Sequence, residues 1–322
     1  MQVIRITDSE DLNKIKENHV FSEHGSVVAL GFFDGVHLAH RTLIAKAKDI
    51  AEQKKLRLVI FTFAGDDKLI KADSKRLFTD NEKLSLLEEC GADLTVIANF
   101  TVFSGLAAEN FVTDFLIRSL GAAVAVCGYN FKFGKGASGD SETLCKLMKS
   151  SGAEAEVVEE YNVDGVPLSS TYIRTLLSER RIREAAKLLG KPYFISGMVS
   201  HGLGLGKKLG IPTVNVELPS GRFVLPAGVY ATVTAIGDKL FPSLTNVGVC
   251  PTFNERHIHT ETFILNFNND VYNENIRIYF VDFLRNEKKF SNAEELLMQI
   301  NVDKTKTLKL FGDIKWQELG LN

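Results

Sequence analysis

In the first half of the chain, short apolar runs alternate with segments whose apolar residues recur at helical spacing. Runs of this length, bounded by glycine or polar residues, are typical of strands that are buried on both faces of a parallel sheet. The predicted strands are residues 26–33, 56–63, 93–100, 122–131 and 154–161. The pattern therefore predicts an α/β domain, in which ligands bind beyond the carboxyl ends of the strands.

Two of the intervening helices have recognisable ends. Thr79 and Glu82 have the spacing of a capping box, and the helix that they begin should end at Gly91. A second helix is predicted over residues 107–120, where Phe111 and Phe115 would lie on one face.

The second half of the chain has strand patterns separated by turns instead of helices. The predicted strands are residues 194–200, 213–218, 229–236, 240–247, 261–267 and 275–283. Gly237-Asp238 and Asn268-Asn269-Asp270 are predicted to form hairpin turns. Because an open antiparallel sheet would leave two exposed edges, we expect a small closed six-stranded barrel.

A domain boundary precedes the barrel, and a final helix follows it. Ser291 and Glu294 have capping-box spacing before an apolar stripe that includes Leu296 and Leu297. Glycine and proline near residue 190 mark the linker, so we predict one domain over residues 1–186 and another over 187–322.

Composition excludes several classes of protein. The 322 residues carry a formal net charge of −2, which provides no general basic field for nucleic acid. No apolar stretch is long enough to span a membrane. The cysteines are Cys90, Cys127, Cys145 and Cys250, and they form no metal-binding or disulfide pattern. We expect a cytoplasmic protein, and the sequence leaves an oligomer open.

The segment 31–40, with the sequence GFFDGVHLAH, ends the first predicted strand and begins a helix. His37 and His40 would share one face of that helix at its amino-terminal end, where free N–H groups and the helix dipole attract anions. A two-histidine metal site or two incidental histidines are the alternatives at this point.

Two later segments also have the composition of ligand-binding loops. Residues 128–140, with the sequence GYNFKFGKGASGD, would let backbone amides approach a phosphate or a base, although glycines also serve simple turns. Residues 169–174, with the sequence SSTYIR, place hydroxyl groups and Arg174 at a helix start, where ordinary N-capping is the alternative.

Taken together in this order, the three segments resemble the nucleotidylyltransferase half of bacterial bifunctional riboflavin kinase/FAD synthetases. The second half resembles the riboflavin kinase module of the same family. The motifs behind this second resemblance are GLGLGKKLGIPTVN at 202–215, GVY at 228–230, NVG at 246–248, PTF at 251–253, Glu261, Tyr272 and RNEKKF at 285–290. The resemblance spans nearly the whole chain.

For the first half, the resemblance implies transfer of the adenylyl group of ATP to FMN, which yields FAD and pyrophosphate. It implies catalytic roles for His37, His40 and Arg174. It also implies nucleotide-binding roles for Gly31, Phe33, Asp34, Gly35, Gly128, Asn130, Ser170 and Thr171.

For the second half, the resemblance implies phosphorylation of riboflavin to FMN by ATP. Glu261 would be the base, and Thr213 and Asn215 would be ligands of Mg²⁺. The implied binding residues are Gly202, Gly206, Lys207, Asn246 and Arg285. The expected partners are small molecules, namely riboflavin, FMN and ATP, with no nucleic acid and no membrane.

The sequence departs from the family at several positions. Ala64-Gly65-Asp66 stands in place of a usual Pro-His-Pro element, and Ala39 stands between the histidines in place of glycine. In the kinase half, Lys207 and Cys250 stand where arginine is common in the family, Asn266 where aspartate is common, and Asn273 where glycine is usual. They leave open a monofunctional FAD synthetase with a kinase-impaired barrel and a non-catalytic flavin sensor. A nicotinamide oxidoreductase is rejected, because no GxGxxG follows the first strand.

Overall fold

The computed structural model describes residues 1–18, 25–65, 75–200, 210–219, 221–251, 256–312 and 319–321. The chain divides into two compact units, Met1–Ser170 and Thr171–Asn322. This division falls before the boundary that the sequence predicts at residue 187. The reason lies in the helix Ile182–Leu189, whose Arg183 donates a 2.6 Å hydrogen bond to Asp282 of the barrel in the second unit.

The first unit is built on a six-stranded parallel sheet. Its strands are β1 (Gln2–Ile6), β2 (Ser26–Leu30), β3 (Arg57–Phe63), β4 (Leu94–Ala98) and β5 (Ala122–Gly128), followed after the short antiparallel pair β6 (Lys132–Phe133) and β7 (Gly139–Asp140) by β8 (Glu154–Val158). A further short pair is β9 (Asn162–Val163) with β10 (Val166–Pro167). All the strands predicted for this half are present, whereas β1, at the edge of the sheet, was not predicted.

Helices connect these strands. They are α1 (Ser9–Asn18), α2 (Leu38–Lys54), α3 (Asp80–Glu89), α4 (Phe100–Phe103), α5 (Ala108–Asn110) and α6 (Ser141–Ser150). The predicted capping box is confirmed at the start of α3, where the Thr79 side chain accepts from the amide of Glu82 and the Glu82 side chain accepts from the amide of Thr79. The predicted helix over residues 107–120 continues beyond α5 as a π-helix, Phe111–Ser119.

The strand order β1-β4-β3-β2-β5-β8 places a topological switch point between β2 and β5. From β2 the chain moves to β3 and β4 on one side, and it later returns to β5 and β8 on the other side. In sheets of this kind the two connections diverge beyond the carboxyl ends of the strands and leave a crevice for ligands. Both glycine-rich segments identified in the sequence follow these two strands.

The second unit contains the predicted closed barrel. After α7 (Ser170–Ser178), which begins at the boundary, and α8 (Ile182–Leu189), its strands are β11 (Phe194–Ser200), β12 (Thr213–Val216), β13 (Gly228–Ile236), β14 (Lys239–Pro251), β15 (Arg256–Ile264) and β16 (Asn275–Arg285). The order is β11-β12-β15-β14-β13-β16, and β16 pairs with β11 to close the barrel. The last helix is α9 (Ala293–Gly312).

Two local predictions in this half are wrong. Gly237-Asp238 does join the paired strands β13 and β14, but Asn268-Asn269-Asp270 forms no hairpin, because β15 pairs with β12 and β14 while β16 pairs with β11 and β13. At the start of α9, the capping side chain is Asn292, whose carbonyl oxygen accepts from the amide of Glu295 at 2.9 Å, one position later than the predicted box.

Candidate active sites

A cavity of about 770 Å³ lies beyond the carboxyl ends of β2 and β5. A volume of this size suits a nucleotide or another small-molecule ligand. Seven of the sequence-predicted site residues line it, namely Gly31, Phe33, His37, His40, Gly128, Asn130 and Ser170. The structure therefore brings together residues from all three of the segments that the sequence analysis singled out.

His37 and His40 form a stacked pair on the cavity wall. Their ring centroids are 3.7 Å apart with an interplanar angle of 15°, and the edge of the Phe33 ring packs against His40 at 5.3 Å. His37 immediately precedes α2, and its carbonyl accepts from the amide of Arg41 at 2.9 Å. The pair thus lies at the positive end of the α2 dipole, as the sequence predicts.

Both imidazoles are neutral at physiological pH. Desolvation lowers the pKa of His37 to about 4 and lowers that of His40 well below its usual value, with a further contribution to His40 from His37 and from Lys83. Each Nδ1 atom is shielded from water and has no hydrogen-bond partner among the described residues. Each Nδ1 therefore keeps hydrogen-bonding capacity that no described protein group fills.

The loop between β2 and α2 is held in an unusual backbone conformation. Phe33 and Val36 adopt positive φ angles of 52° and 41°, which are unfavourable for bulky residues. Asp34 stabilises this conformation from the inside, since its carboxylate accepts from the amide of Leu77 at 2.9 Å and its carbonyl accepts from the Ser170 hydroxyl at 2.7 Å. Asp34 therefore shapes the loop, and it does not line the cavity.

Much of the cavity lining is aromatic, a feature that the sequence analysis missed. The phenylalanines that line it are Phe32, Phe33, Phe61, Phe63, Phe100, Phe103, Phe111, Phe131 and Phe133. The π-helix contributes Phe111, whose ring contacts that of Phe133 at 5.3 Å. A signal was present in the composition, because the chain contains 22 phenylalanines and many of them lie between residues 61 and 133.

The segment that replaces the family's Pro-His-Pro element contacts charged side chains at the start of α3 and in the residues just before it. The amide of Gly65 donates to Asp80 at 3.2 Å, and Asp80 also pairs with Arg76 at 3.4 Å. A Cβ atom on Gly65 would lie 1.6 Å from the Arg76 guanidinium, so the guanidinium occupies the space that a side chain would need. Asp66 lies outside the described residues.

The remaining predicted residues of the adenylyltransferase motifs are Thr171 and Arg174. Both belong to the second unit, at the start of α7, where the Arg174 guanidinium donates to the Thr171 hydroxyl at 3.3 Å. Their hydroxyl and guanidinium groups have the donor chemistry that phosphate oxygens require.

In the second unit, strand register aligns three polar residues across the barrel wall. Asn215 on β12 pairs with Glu261 on β15, and Glu261 pairs in turn with Asn246 on β14. Thr213, two positions before Asn215, lies on the same face of β12. The neighbouring Thr262 and Thr245 are fully buried in the barrel interior, so the polar row lies on the other face, where its members are partly exposed.

The polar row offers oxygen ligands for magnesium beside a carboxylate. Thr213 and Asn215 carry hydroxyl and amide oxygens, which suit a hard cation such as Mg²⁺, and Glu261 carries the carboxylate. The part of the chain that the structure describes holds no cluster of three or more His, Cys, Asp or Glu side chains suited to a metal. The oxygen atoms of the polar row fit a hard cation whose other ligands are substrate phosphates and water.

Arg285 is the last residue of β16, and its side chain contacts the last helix, α9. Its Nε donates at 2.8 Å to Asp303 of α9, and Gln299 donates to the other oxygen of the same carboxylate at 3.0 Å. Asp303 is 1% exposed, so this is a buried ion pair. The other predicted residues of the kinase half, Gly202, Gly206 and Lys207, lie outside the described residues.

Two of the departures from the family lie at positions with a left-handed backbone conformation. Asn273 stands where glycine is usual and adopts a φ of 63°, and Asn266 adopts a φ of 56°. Asparagine tolerates this left-handed region better than other non-glycine residues, so both positions keep a conformation that suits glycine or asparagine. The side chain of Cys250 lies outside the described residues.

Comparisons with known proteins agree with this architecture. The family model for FAD synthetase matches residues 20–172, and the model for riboflavin kinase matches residues 189–311. Among the described residues, every helix is too short or too polar to span a lipid bilayer. A solved structure described as a macrolide-efflux protein from Streptococcus pneumoniae has a TM-score of 0.83 and 27% identity, and the match covers 95% of this chain and 99% of that one.

Curated relatives match over nearly their full length. A bifunctional riboflavin kinase/FMN adenylyltransferase of Bacillus subtilis is 35% identical over 98% of this chain and 100% of the relative. The protein with the same description from Escherichia coli K12 is 34% identical over 90% of this chain and 94% of the relative. The chain therefore belongs to the family of bifunctional riboflavin kinase/FMN adenylyltransferases.

Proposed function

We propose that the chain makes FAD from riboflavin in two ATP-dependent steps, one in each unit. The second unit phosphorylates riboflavin to FMN, and the first unit transfers the adenylyl group of ATP to FMN and releases pyrophosphate. The observation that carries the proposal is the cavity at the β2/β5 switch point, which joins a histidine pair at a helix start to an aromatic wall.

The histidine pair suits the phosphates of ATP. A phosphate nucleophile such as that of FMN is already anionic, so the transfer needs alignment and stabilisation of charge on phosphoryl oxygens, and no strong base is required. His37 and His40 supply ring N–H donors, and α2 supplies its dipole. Ser170 lines the same cavity and provides a further hydroxyl donor. The resemblance implies that Thr171 and Arg174 of the SSTYIR segment also bind phosphate oxygens.

The phenylalanine side chains of the cavity lining suit a flavin. The isoalloxazine ring is flat and largely apolar, and phenylalanine rings offer both apolar area and stacking faces. Phe111 and Phe133 are in contact with each other, and Phe131 stacks on Phe133 with ring centroids 5.6 Å apart. Asn130 adds a polar group to the same lining.

The kinase step has a different requirement, because its nucleophile is a neutral ribityl hydroxyl. We assign Glu261 as the base that accepts the proton from this hydroxyl while the hydroxyl oxygen attacks the γ-phosphorus of ATP. Thr213 and Asn215 would hold Mg²⁺, which neutralises charge on the ATP phosphates when it is bound. Asn246, on the other side of Glu261, would orient the carboxylate or the substrate.

We also propose that the enzyme works in the cytoplasm. Cys90, Cys127 and Cys145 are free thiols, which fits a reducing compartment.

The test is a chromatographic separation of flavins after incubation of the purified chain with MgATP and either riboflavin or FMN. The proposal predicts that riboflavin is converted through FMN to FAD. Conversion of FMN alone would instead favour a monofunctional FAD synthetase, and binding of FMN and ATP without turnover would favour a sensor.

A further inference from the structure

Lys83 is a buried lysine to which the proposed function assigns no role. It lies in the interior of α3 and is 5% exposed. Its ammonium donates to the carbonyl of Phe63 at 2.6 Å, to the hydroxyl of Thr62 at 3.3 Å and to the carbonyl of Phe32 at 3.5 Å. One side chain on α3 thereby links the end of β3 to the loop that follows β2.

The Phe32 carbonyl lies at a critical point of that loop. It also accepts a 2.9 Å hydrogen bond from the Thr62 hydroxyl, and the ammonium of Lys83 lies 5.0 Å from the centre of the Phe32 ring. The next residue is Phe33, which has the positive φ angle and packs against His40. The hydrogen bonds at Phe32 therefore help to hold the strained turn that presents the histidine pair.

The ammonium of Lys83 is satisfied mainly by neutral groups, with one long ion pair to a carboxylate among the described residues. Asp80 approaches its ammonium only to 4.0 Å, and Asp80 is shared with Arg76 and the amide of Gly65. Burial of a charge is costly when the groups that satisfy it are neutral carbonyl and hydroxyl groups. This arrangement places a positive charge directly behind the loop. That charge would stabilise a polyphosphate bound at the loop.

We propose that Lys83 is a positioning residue for adenylyl transfer, which fixes the loop carrying His37 and His40 and adds positive charge behind it. This inference rests on the proposed function, since it assumes that ATP phosphates bind at the histidine pair.

The proposal has a consequence for pH dependence. The charged and titratable groups that face the ammonium are Asp80 at the start of α3, Arg76 just before that helix, Asp34 in the loop, and His40 on α2. Burial lowers the pKa of Lys83 to about 8, against the opposing effect of Asp80 and Asp34. Because the protonated form is the active one, the rate of FAD formation should fall as pH rises through 8.

The test compares four variants of the full-length chain. Lys83→Met removes the charge and all three hydrogen bonds, and Lys83→Arg keeps a charge that does not titrate in this range. Thr62→Val removes one hydroxyl at constant shape. Lys54→Met is the matched control, because Lys54 is an exposed lysine of the same unit that pairs with Glu154 at 2.9 Å.

We expect Lys83→Met to lower kcat for FAD formation by about 100-fold with little change in the KM for FMN, since small misplacements of aligned groups have effects of this size. Lys83→Arg should recover at least about tenfold of the loss and lack the decline above pH 8, and Thr62→Val should lose about tenfold. Lys54→Met should match the parent. Conversion of riboflavin to FMN in the same samples should be unchanged.

A Lys83→Met enzyme with parental kcat, or one that loses only thermal stability, would overturn the proposal. If Lys83→Met does not fold, Thr62→Val decides the question, and parental kcat in that variant overturns it. Loss of activity in His37→Ala/His40→Ala together with normal kcat in Lys83→Met would refute only this inference. Normal activity in the histidine variant would refute the placement of ATP itself.

Discussion

The two candidate active sites are built in opposite ways. In the first unit the site is made of loops beyond the carboxyl ends of the parallel strands. His37 and His40 are neutral groups there, in a largely aromatic cavity. In the second unit the site is a row of side chains on regular strands, with Glu261 between Asn215 and Asn246. The difference matches the chemistry, because an anionic nucleophile needs donors and alignment whereas a hydroxyl needs a base.

The two cores differ as well. The first unit packs phenylalanines, with Phe115 in contact with Phe61 at 5.0 Å and with Phe103 at 4.8 Å. The barrel interior instead contains a chain of hydrogen-bonded hydroxyls, with spacings of 2.8 to 2.9 Å through Thr234, Ser243, Thr232, Thr245 and Thr262. Each unit therefore offers substitutions that should leave the other one unaffected.

The largest effect is expected for Glu261→Gln. The amide has nearly the same shape but cannot accept the proton of the ribityl hydroxyl, so FMN formation should fall by about 10²–10⁴-fold. FAD formation from supplied FMN should be unchanged, which separate assays with riboflavin and FMN will measure. Glu294→Gln, at an exposed position in the first turn of α9, is the control. Equal loss of both activities would contradict the assignment.

The reciprocal change is His37→Ala/His40→Ala. Removal of positioned donors to phosphoryl oxygens should lower kcat for FAD formation by about 10²–10³-fold. Riboflavin phosphorylation by the same sample should remain at the parental rate. If the double variant makes FAD normally, the ATP phosphates do not bind at the histidine pair.

A third prediction concerns stability against pH. The folded-state pKa of His37 is about 4, below its usual value of 6.5, so the unfolded chain binds more protons between these values and stability falls as pH decreases through this window. The contribution of His37 to the free energy of unfolding should decrease by about 3 kcal/mol from pH 7 to pH 4. The measurement is urea unfolding of the parent and the double histidine variant at several pH values.

His40 acts in the same direction because its pKa is also lowered by burial. The parent should therefore lose more stability than the variant on acidification. Parallel unfolding curves for the two proteins across this range would show that the imidazoles are not desolvated in the folded chain.

The smallest effect tests the barrel core. Thr245→Val removes a hydroxyl that bonds to Thr232 and Thr262 at 2.9 Å and leaves both with one partner fewer. The free energy of unfolding should fall by about 1–2 kcal/mol. Thr305→Val, at an exposed position on α9, should change it by less than about 0.5 kcal/mol. If Thr245→Val leaves the free energy of unfolding unchanged, the hydroxyl chain makes no net contribution to stability.

The sequence predicts the parts of this structure that depend on local pattern. Apolar runs locate the buried strands, and the spacing of Thr79 and Glu82 locates the start of α3. The histidine pair was also predictable, since both residues lie within one strand-to-helix segment. The roles proposed for Glu261, Thr213 and Asn215 come from resemblance to a known family, because the residues alone do not indicate them.

Features that depend on distant pairing were not predictable in the same way. The composition of Asn268-Asn269-Asp270 predicts a hairpin turn, because local composition cannot show that β15 and β16 pair with other strands. Lys83 resembled an ordinary helix lysine, since the groups that it binds lie 20 to 51 residues away in the chain. The pairing of Arg285 with Asp303 has the same origin, because a motif does not show what its side chains contact in the fold.

The most direct test of two independent sites is complementation between the inactive variants. Glu261→Gln and His37→Ala/His40→Ala are each incubated with riboflavin and MgATP, first separately and then together, and the flavins are separated by chromatography. The account predicts that neither variant alone makes FAD, whereas the mixture does, because FMN released by the histidine variant is adenylylated by the Glu261 variant. If the mixture makes no FAD although the Glu261 variant converts supplied FMN, the Glu261 and histidine sites do not act as separate centres for the two steps.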